Sequence, residues 1–432
     1  MEIFTEIKSI IRNKFIKEIS WSVLEKGLAG ILVFTLNAVL ANLLGPTEYG
    51  SWSYLHSILQ IVGTVTIFGI NASTMKHIAQ FNKTLDLSNV FRSAFTLRIS
   101  FSLFFSLVFF IIAQPLANVI GRPNLGIYFK LAVPLVFLSS LVGFIKNTFE
   151  SLHRLKYAFF VNITENTMKL LGVVVFLPML HNIPAIIYSY ELAYLLAFVV
   201  GIVFFYKNFY QVTRSKNNSY LNQIFLYSLP FITTSISYTI IAQIDILMLG
   251  YFSTDTEVGI YSIAKQIIAK FPEIAVAISL GTMPVFAKLN HDNKEKLNQL
   301  LIKLIKINTI LYCLVSLLIM STAWFFIPLI FGPAFSASVI PLMIMVIFMV
   351  GKSFSAFFSS FLTYQGKADK RAKNLIISMI LNLVLNIILI PRYGAVGAAI
   401  GTSISYLPYV ILNWIEIKKI FSSYSTIDKS NC

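Results

Sequence analysis

Long apolar runs alternate along the chain with short polar intervals. A helix crossing a bilayer core about 30 Å thick needs about 20 apolar residues, and twelve runs of that size are legible. They fall at 21–44, 53–78, 94–120, 125–149, 157–178, 184–206, 224–251, 258–286, 302–331, 337–364, 374–391 and 395–417. Inside lipid the backbone must satisfy its own polar groups, so runs of this length predict helices throughout. The first twenty residues, MEIFTEIKSIIRNKFIKEIS, carry charges of both signs and do not read as a cleavable leader. Their Ile3, Ile7, Ile10, Ile11 and Phe15 recur at helical spacing, which predicts a short helix on the inner membrane face.

Composition agrees with this pattern, since the 432 residues are 57% hydrophobic and only 12% charged. An ordinary soluble domain carries about 25% charged residues. The net charge of +16 would suggest nucleic acid in a soluble chain, but here the bases follow membrane orientation. Twenty-five of the 34 lie in the amino terminus, the carboxyl terminus and the even-to-odd connections with their flanks, while the opposite connections hold only Arg122 and Arg392. This asymmetry predicts both termini in the cytoplasm. The remaining seven, Lys26, Lys130, Lys169, Lys265, Lys270, Lys306 and Lys352, lie within the runs. Two cysteines, Cys313 and Cys432, supply neither a disulfide framework nor a metal signature.

The two halves echo each other. LLGPTEYGSWSY after the first run matches LGYFSTDTEVGIYS after the seventh and sets Glu48 against Glu257 at an offset of 209. Gly121 falls against Gly332 and Pro178 against Pro391 at nearly the same spacing. An all-α polytopic membrane protein of two parallel six-helix repeats follows. Its expected parts are an interfacial helix over 1–20, an amino-terminal lobe over 21–206, a cytoplasmic linker over 207–223, a carboxyl-terminal lobe over 224–417 and a cytoplasmic tail over 418–432.

A charge at mid-bilayer costs roughly 2.5 to 3.5 kcal/mol, which makes each intramembrane charge a candidate for function. On the first run Lys26 shares a face with Ser22, Gly30, Val33 and Asn37, with Glu25 beside it. Lys26 reads as a cavity cation or as a lysine snorkelling to the interface. Gln266, Lys270 and Glu273 share a face on the eighth run, and Lys265 borders it; a Lys270–Glu273 ion pair is the alternative. Lys130, Lys169 and Lys352 are further cations, and Lys169 has Glu165 at i−4 as a local partner. Asp245 and Glu191 lie deep in their runs, where a lone carboxylate takes up a proton or a cation. His56, near the outer end of the second run, could stack on a ligand ring or be a plain interfacial side chain. There is no P-loop, so any energy-coupled role must draw on an ion gradient, the membrane potential or a ligand gradient and not on nucleotide hydrolysis. Asn382 and Asn386 stand four residues apart and Thr402 lies among small residues, so with Asp245 they could ligate a hard cation or hydrogen-bond between helices.

GLAGILVFTLNAVLANLLGPTEYGSWSY, QIDILMLGYFSTDTEVGIYSIAKQI and YQGKADKRAKNLIISMILNLVLNIILIPRYGAVGAAIGTSIS together give a resemblance that covers nearly the whole chain. The chain resembles the polysaccharide repeat-unit flippases, the Wzx-type branch of the multidrug/oligosaccharidyl-lipid/polysaccharide exporter superfamily. The resemblance implies a V-shaped, MATE-like bundle with a central cavity in a bacterial inner membrane. It implies movement of undecaprenyl-diphosphate-linked oligosaccharides to the outer leaflet for O-antigen, lipopolysaccharide or capsule synthesis, by alternating access. The implied partners are that lipid, the bilayer, and the polymerase and chain-length proteins of the same pathway, with no nucleic acid and no cofactor beyond Na+ or H+ as coupling ion. Lys26, Lys265, Lys270, Lys130 and Lys352 are then expected at the diphosphate, with Glu25, Asn37, Gln266 and Glu273 as polar lining.

Peptidoglycan-precursor flippases of the superfamily carry cations on helices one and eight, which Lys26 and Lys265 match in place, with lysine for arginine. Their sodium site is similar to Asp245, Asn382, Asn386, the Ala398 carbonyl and Thr402. The neutral Asn386 replaces an acid there and would weaken sodium or leave a proton on Asp245. A drug exporter or a lipid II flippase of the same superfamily is the alternative, although a cavity for cationic drugs should favour acids over the seven bases found here. A polymerase or ligase would need a large outer loop with catalytic residues. No paired-carboxylate, nucleophile or metal motif is present, so no enzyme is expected.

Overall fold

The computed structural model describes the backbone of residues 2–430 outside 82–85, 181, 214–218, 280, 281, 283–285 and 287–293. Side chains are described over 20–422 outside 81–86, 181, 209–218, 280, 281, 283–285 and 287–294. Among these residues there is no strand. The helices are α1 (Glu2–Ile67), α2 (Ile70–Phe81), α3 (Asp86–Val119), α4 (Leu125–Leu131), α5 (Val133–Ser151), α6 (Leu155–Leu180) and α7 (Ile183–Thr213). They continue with α8 (Leu221–Phe252), α9 (Asp255–Lys270), α10 (272–279), α11 (Lys294–Phe331), α12 (Val339–Tyr364) and α13 (Ala368–Ser430), and a 3-10 turn over Pro333–Ser338 precedes α12.

Nine of the described helices are long and apolar enough to cross a membrane. Two of them hold two crossings each. Gly45, at φ 70°, interrupts α1, and Gly394, at φ 52°, interrupts α13. Both lie where the apolar runs end, and with α9 and α10 as the eighth run the twelve crossings are accounted for. The end of that run, 280–286, falls largely outside the described residues.

The runs and the helices differ in three places. The backbone of 2–20 is continuous with the first crossing instead of forming a separate helix; the side chains of 1–19 lie outside the described residues. The second run breaks at Phe68 and Gly69, both at positive φ. The fourth divides at Ala132, where Pro134 stands at the start of α5. A proline lacks the N–H and crowds the carbonyl four residues back, so it opens a helix more readily than it continues one. Average apolarity does not register either break.

Two compact units are present. One runs to Leu43 and resumes over Leu55–Gln243; the other comprises Leu44–Tyr54 and the chain from Ile244. The division falls inside α1 and α8, whereas the middle of the expected linker, 214–218, lies outside the described residues. The first unit is centred on Val142, Ile145, Phe149, Val161 and Phe205, with Phe91 stacked on Phe205 at 4.3 Å. The second buries Tyr261, Phe335, Leu342 and Met345. Ile111, Phe325 and Leu329 are largely exposed, as expected of multi-pass membrane helices whose solvent is lipid.

Within the second unit the start of the second crossing meets the start of α9. A Cβ on Gly50 would lie 1.7 Å from the Asp255 carbonyl oxygen, and one on Gly259 would lie 2.1 Å from the Pro46 carbonyl oxygen. Only glycine admits such an approach. The two contacts interchange when 209 is added to Gly50 and taken from Asp255, and Thr47 Oγ1 lies 2.8 Å from Thr256 Oγ1 at that same separation of 209. Matching residues of the two repeats therefore face each other across a local two-fold axis.

Candidate functional site

α8, α9 and α13 bring six polar side chains of the second unit together. Asp245, only 5% exposed, comes from α8. Tyr261 and Lys265 come from α9, one turn apart and therefore on one face. Tyr261 OH donates to Asp245 Oδ2 at 3.0 Å and lies 3.1 Å from Thr402 Oγ1. Lys265 Nζ lies 3.6 Å from the same Oδ2. Asn386 Nδ2 donates to Asp245 Oδ1 at 3.0 Å and to Asn382 Oδ1 at 3.1 Å. The second half of α13 is set by Glu257, whose Oε2 accepts from the Ala395 N–H at 2.6 Å, a carboxylate at a helix amino end. Ala398 is fully buried on that stretch. The sequence assigned Lys265 and Asp245 to separate roles, and the structure makes them a pair.

The other expected cations of this unit are close by. Lys270 pairs with Glu273 at 3.2 Å, and both are exposed. Lys352 on α12 is half-buried, with Nζ 5.7 Å from the Phe348 ring, and lies within electrostatic reach of Lys265, Lys270 and Glu273. Gln266 accepts from Tyr49 OH at 3.2 Å.

The first unit holds its own ionic cluster. Glu165 accepts from Lys169 Nζ at 2.6 Å and from Lys146 Nζ at 2.8 Å. Lys169 also donates to Tyr194 OH at 3.0 Å and lies 4.9 Å from the Tyr190 ring, which His56 meets edge-on. Asn162 connects the cluster to the first crossing, since its Nδ2 donates to Glu25 Oε1 at 2.9 Å and its Oδ1 accepts from Lys146 at 3.3 Å. Lys26 is exposed and within reach of Glu25 and Glu150. Asn37 donates to Val33 of its own helix, and Lys130 is exposed, 6.0 Å from the Phe110 ring. Glu191 keeps its Oε1 buried with no hydrogen-bond partner.

Two bases tied into the first unit, the half-buried Lys146 and the buried Arg98, fall by sequence among the cytoplasmic charges. Arg98 is 0% exposed. Its guanidinium donates to the Ile67 carbonyl at 3.1 Å, where the second crossing breaks, and to Asn71 Oδ1, and it faces the Phe144 ring at 5.5 Å. The carbonyls at a helix end carry partial negative charge and here take the place of a carboxylate. The available signal was position, because Arg98 already stood inside the run 94–120.

The chain is 26% identical over 419 residues to an uncharacterized membrane protein of Methanocaldococcus jannaschii, covering 91% of this chain and 95% of that one. A second uncharacterized membrane protein of that organism is 22% identical over 91% of this chain and 82% of its own length. An inward-facing multidrug resistance MATE family transporter of the MOP superfamily superposes with a TM-score of 0.74 at 14% identity, covering 91% of this chain and 96% of that one. The lipid II flippase MurJ, in an inward closed conformation, gives 0.73 at 15% identity, covering 93% and 87%. The fold is the polytopic, MATE-like one. Residues 39–340, a stretch that takes in both the Glu165 cluster and the Asp245–Lys265 pair, match the polysaccharide biosynthesis protein family, and the chain is a member of that family.

Proposed function

We propose that the protein is a flippase for lipid-linked oligosaccharides, carrying repeat units of a surface polysaccharide, such as O-antigen or capsule, from the inner to the outer leaflet of the cytoplasmic membrane. The carrier lipid is a polyprenyl diphosphate, undecaprenyl in a bacterium. Both chain ends lie in the cytoplasm in this reading. Translocation makes and breaks no bond, so the protein acts as a transporter and not as an enzyme.

The observation that carries this reading is the gathering of Lys265, Lys270 and Lys352 within electrostatic reach of one another in the second unit, where Asp245 and Glu273 are the acids described beside them. A diphosphate brings negative charge that hydrocarbon does not accept, and ammonium groups at membrane depth compensate it as point charges. A cationic drug would meet one positive charge too many. Lys26, on the first crossing, serves the same anion in this reading.

The test is a leaflet assay in proteoliposomes with a radiolabelled polyprenyl-diphosphate oligosaccharide. Lys352→Ala is expected to lower the initial rate about tenfold, the effect of about 1.4 kcal/mol, and Lys352→Arg to retain most of it. Lys26→Ala should behave alike. Unchanged rates in Lys26→Ala, Lys270→Ala and Lys352→Ala, or equal transport of an uncharged polyprenol glycoside, would exclude diphosphate recognition.

A further inference from the structure

We propose that Lys265 is the fixed counter-ion of Asp245, a cation tethered to the chain in the place where a mobile metal cation would otherwise sit. A buried carboxylate must be compensated, and an uncompensated one is strongly destabilising. Three proton donors converge on this one: the Asn386 amide on Oδ1, and the Tyr261 hydroxyl and Lys265 ammonium on Oδ2.

A sodium shell needs the opposite arrangement, oxygen lone pairs facing a common centre. The resemblance described above implies sodium at Asp245, Asn382, Asn386, Ala398 and Thr402, and the geometry does not fit it. Asn386 turns its amide nitrogen, not its oxygen, to Asp245, and Asn386 Oδ1 is left buried with no hydrogen-bond partner. Asn382 Oδ1 is occupied by Asn386. Lys265 brings a full positive charge to Oδ2, and no second cation is tolerated beside it. Lys265 and Tyr261 lie one turn apart on α9, so both donors to Oδ2 come from a single helix face.

Removing the ammonium should therefore create a metal site. Asp245, Thr402 Oγ1, Tyr261 OH and a rotated Asn386 amide would then offer oxygens to a small hard cation. This holds whatever the chain transports, and its test needs no transport assay.

Full-length protein in lipid nanodiscs is compared in sodium chloride and choline chloride at equal ionic strength, by thermal unfolding and by binding of radioactive sodium. Wild type should melt at the same temperature in both salts and bind no more sodium than Asp245→Asn. Lys265→Ala should bind one sodium and melt about 3 °C or more higher in sodium than in choline. Lys265→Arg should remain insensitive, and Lys265→Ala combined with Asp245→Asn should lose the sodium response. Sodium binding by wild type that Asp245→Asn removes overturns the proposal. So does a Lys265→Ala protein that folds without binding sodium, or one that fails to fold in either salt.

Discussion

Thr47 and Thr256 touch, their hydroxyl oxygens 2.8 Å apart, although 209 residues separate them. They occupy matching positions in the two repeats, so the contact lies on the local two-fold axis within the second unit. Cysteines at both positions, with Cys313 and Cys432 replaced by serine, should form a disulfide under mild oxidation, because the sulfurs need to close only to about 2.05 Å. If this contact opens during transport, the crosslink stops transport and dithiothreitol restores it. Full-rate transport by crosslinked protein would mean that the contact stays closed throughout the cycle.

The same axis predicts where a methyl group is intolerable. Gly50→Ala forces a Cβ against the Asp255 carbonyl and Gly259→Ala against that of Pro46, and neither neighbour is a movable side-chain tip. Each should lower stability by about 1–3 kcal/mol, read as a fall in the melting temperature. Gly63→Ala in the same crossing is the control, since nothing lies within 4 Å of the added atom.

Glu165 holds two ammonium groups, and its loss leaves both facing each other. Glu165→Gln should cost about 3–5 kcal/mol, the usual penalty for breaking a buried pair from one side. Adding Lys169→Met should recover part of that loss, because one of the stranded charges goes with it. A double change no more stable than Glu165→Gln alone would show that Lys146 and Asn162 carry the cluster.

Orientation is open to direct reading. Reporters fused after Asn217 or Asp369 should report the cytoplasm, and those after Pro46 or Thr254 the opposite side, as the base asymmetry requires. Reversal at any two of these positions would contradict the twelve-crossing arrangement.

How far the sequence reaches depends on the range of each interaction. Apolar length is a local property, and it marked twelve crossings together with the turns at Gly45 and Gly394. The Glu165–Lys169 pair was legible because i,i+4 neighbours meet on any helix. Lys146, from a different helix, and Lys265, paired across to α8, depend on how helices are placed side by side, which no spacing along the chain encodes. The breaks at Gly69 and Ala132 escaped for another reason: the residues around them are as apolar as the helices they divide.

Arg98 sets an order on how the chain enters the membrane. Its main acceptors, Ile67 and Asn71, leave the ribosome first, 31 and 27 residues earlier. Arg98 stands near the start of the run 94–120, where its cost stays below the roughly 2.5 to 3.5 kcal/mol of a helix centre, and a second crossing already in place presents its open carbonyls to receive it. The third crossing is therefore a dependent guest of the second. A chain shortened to begin at α3 should insert that helix less efficiently, and Arg98→Leu should restore it.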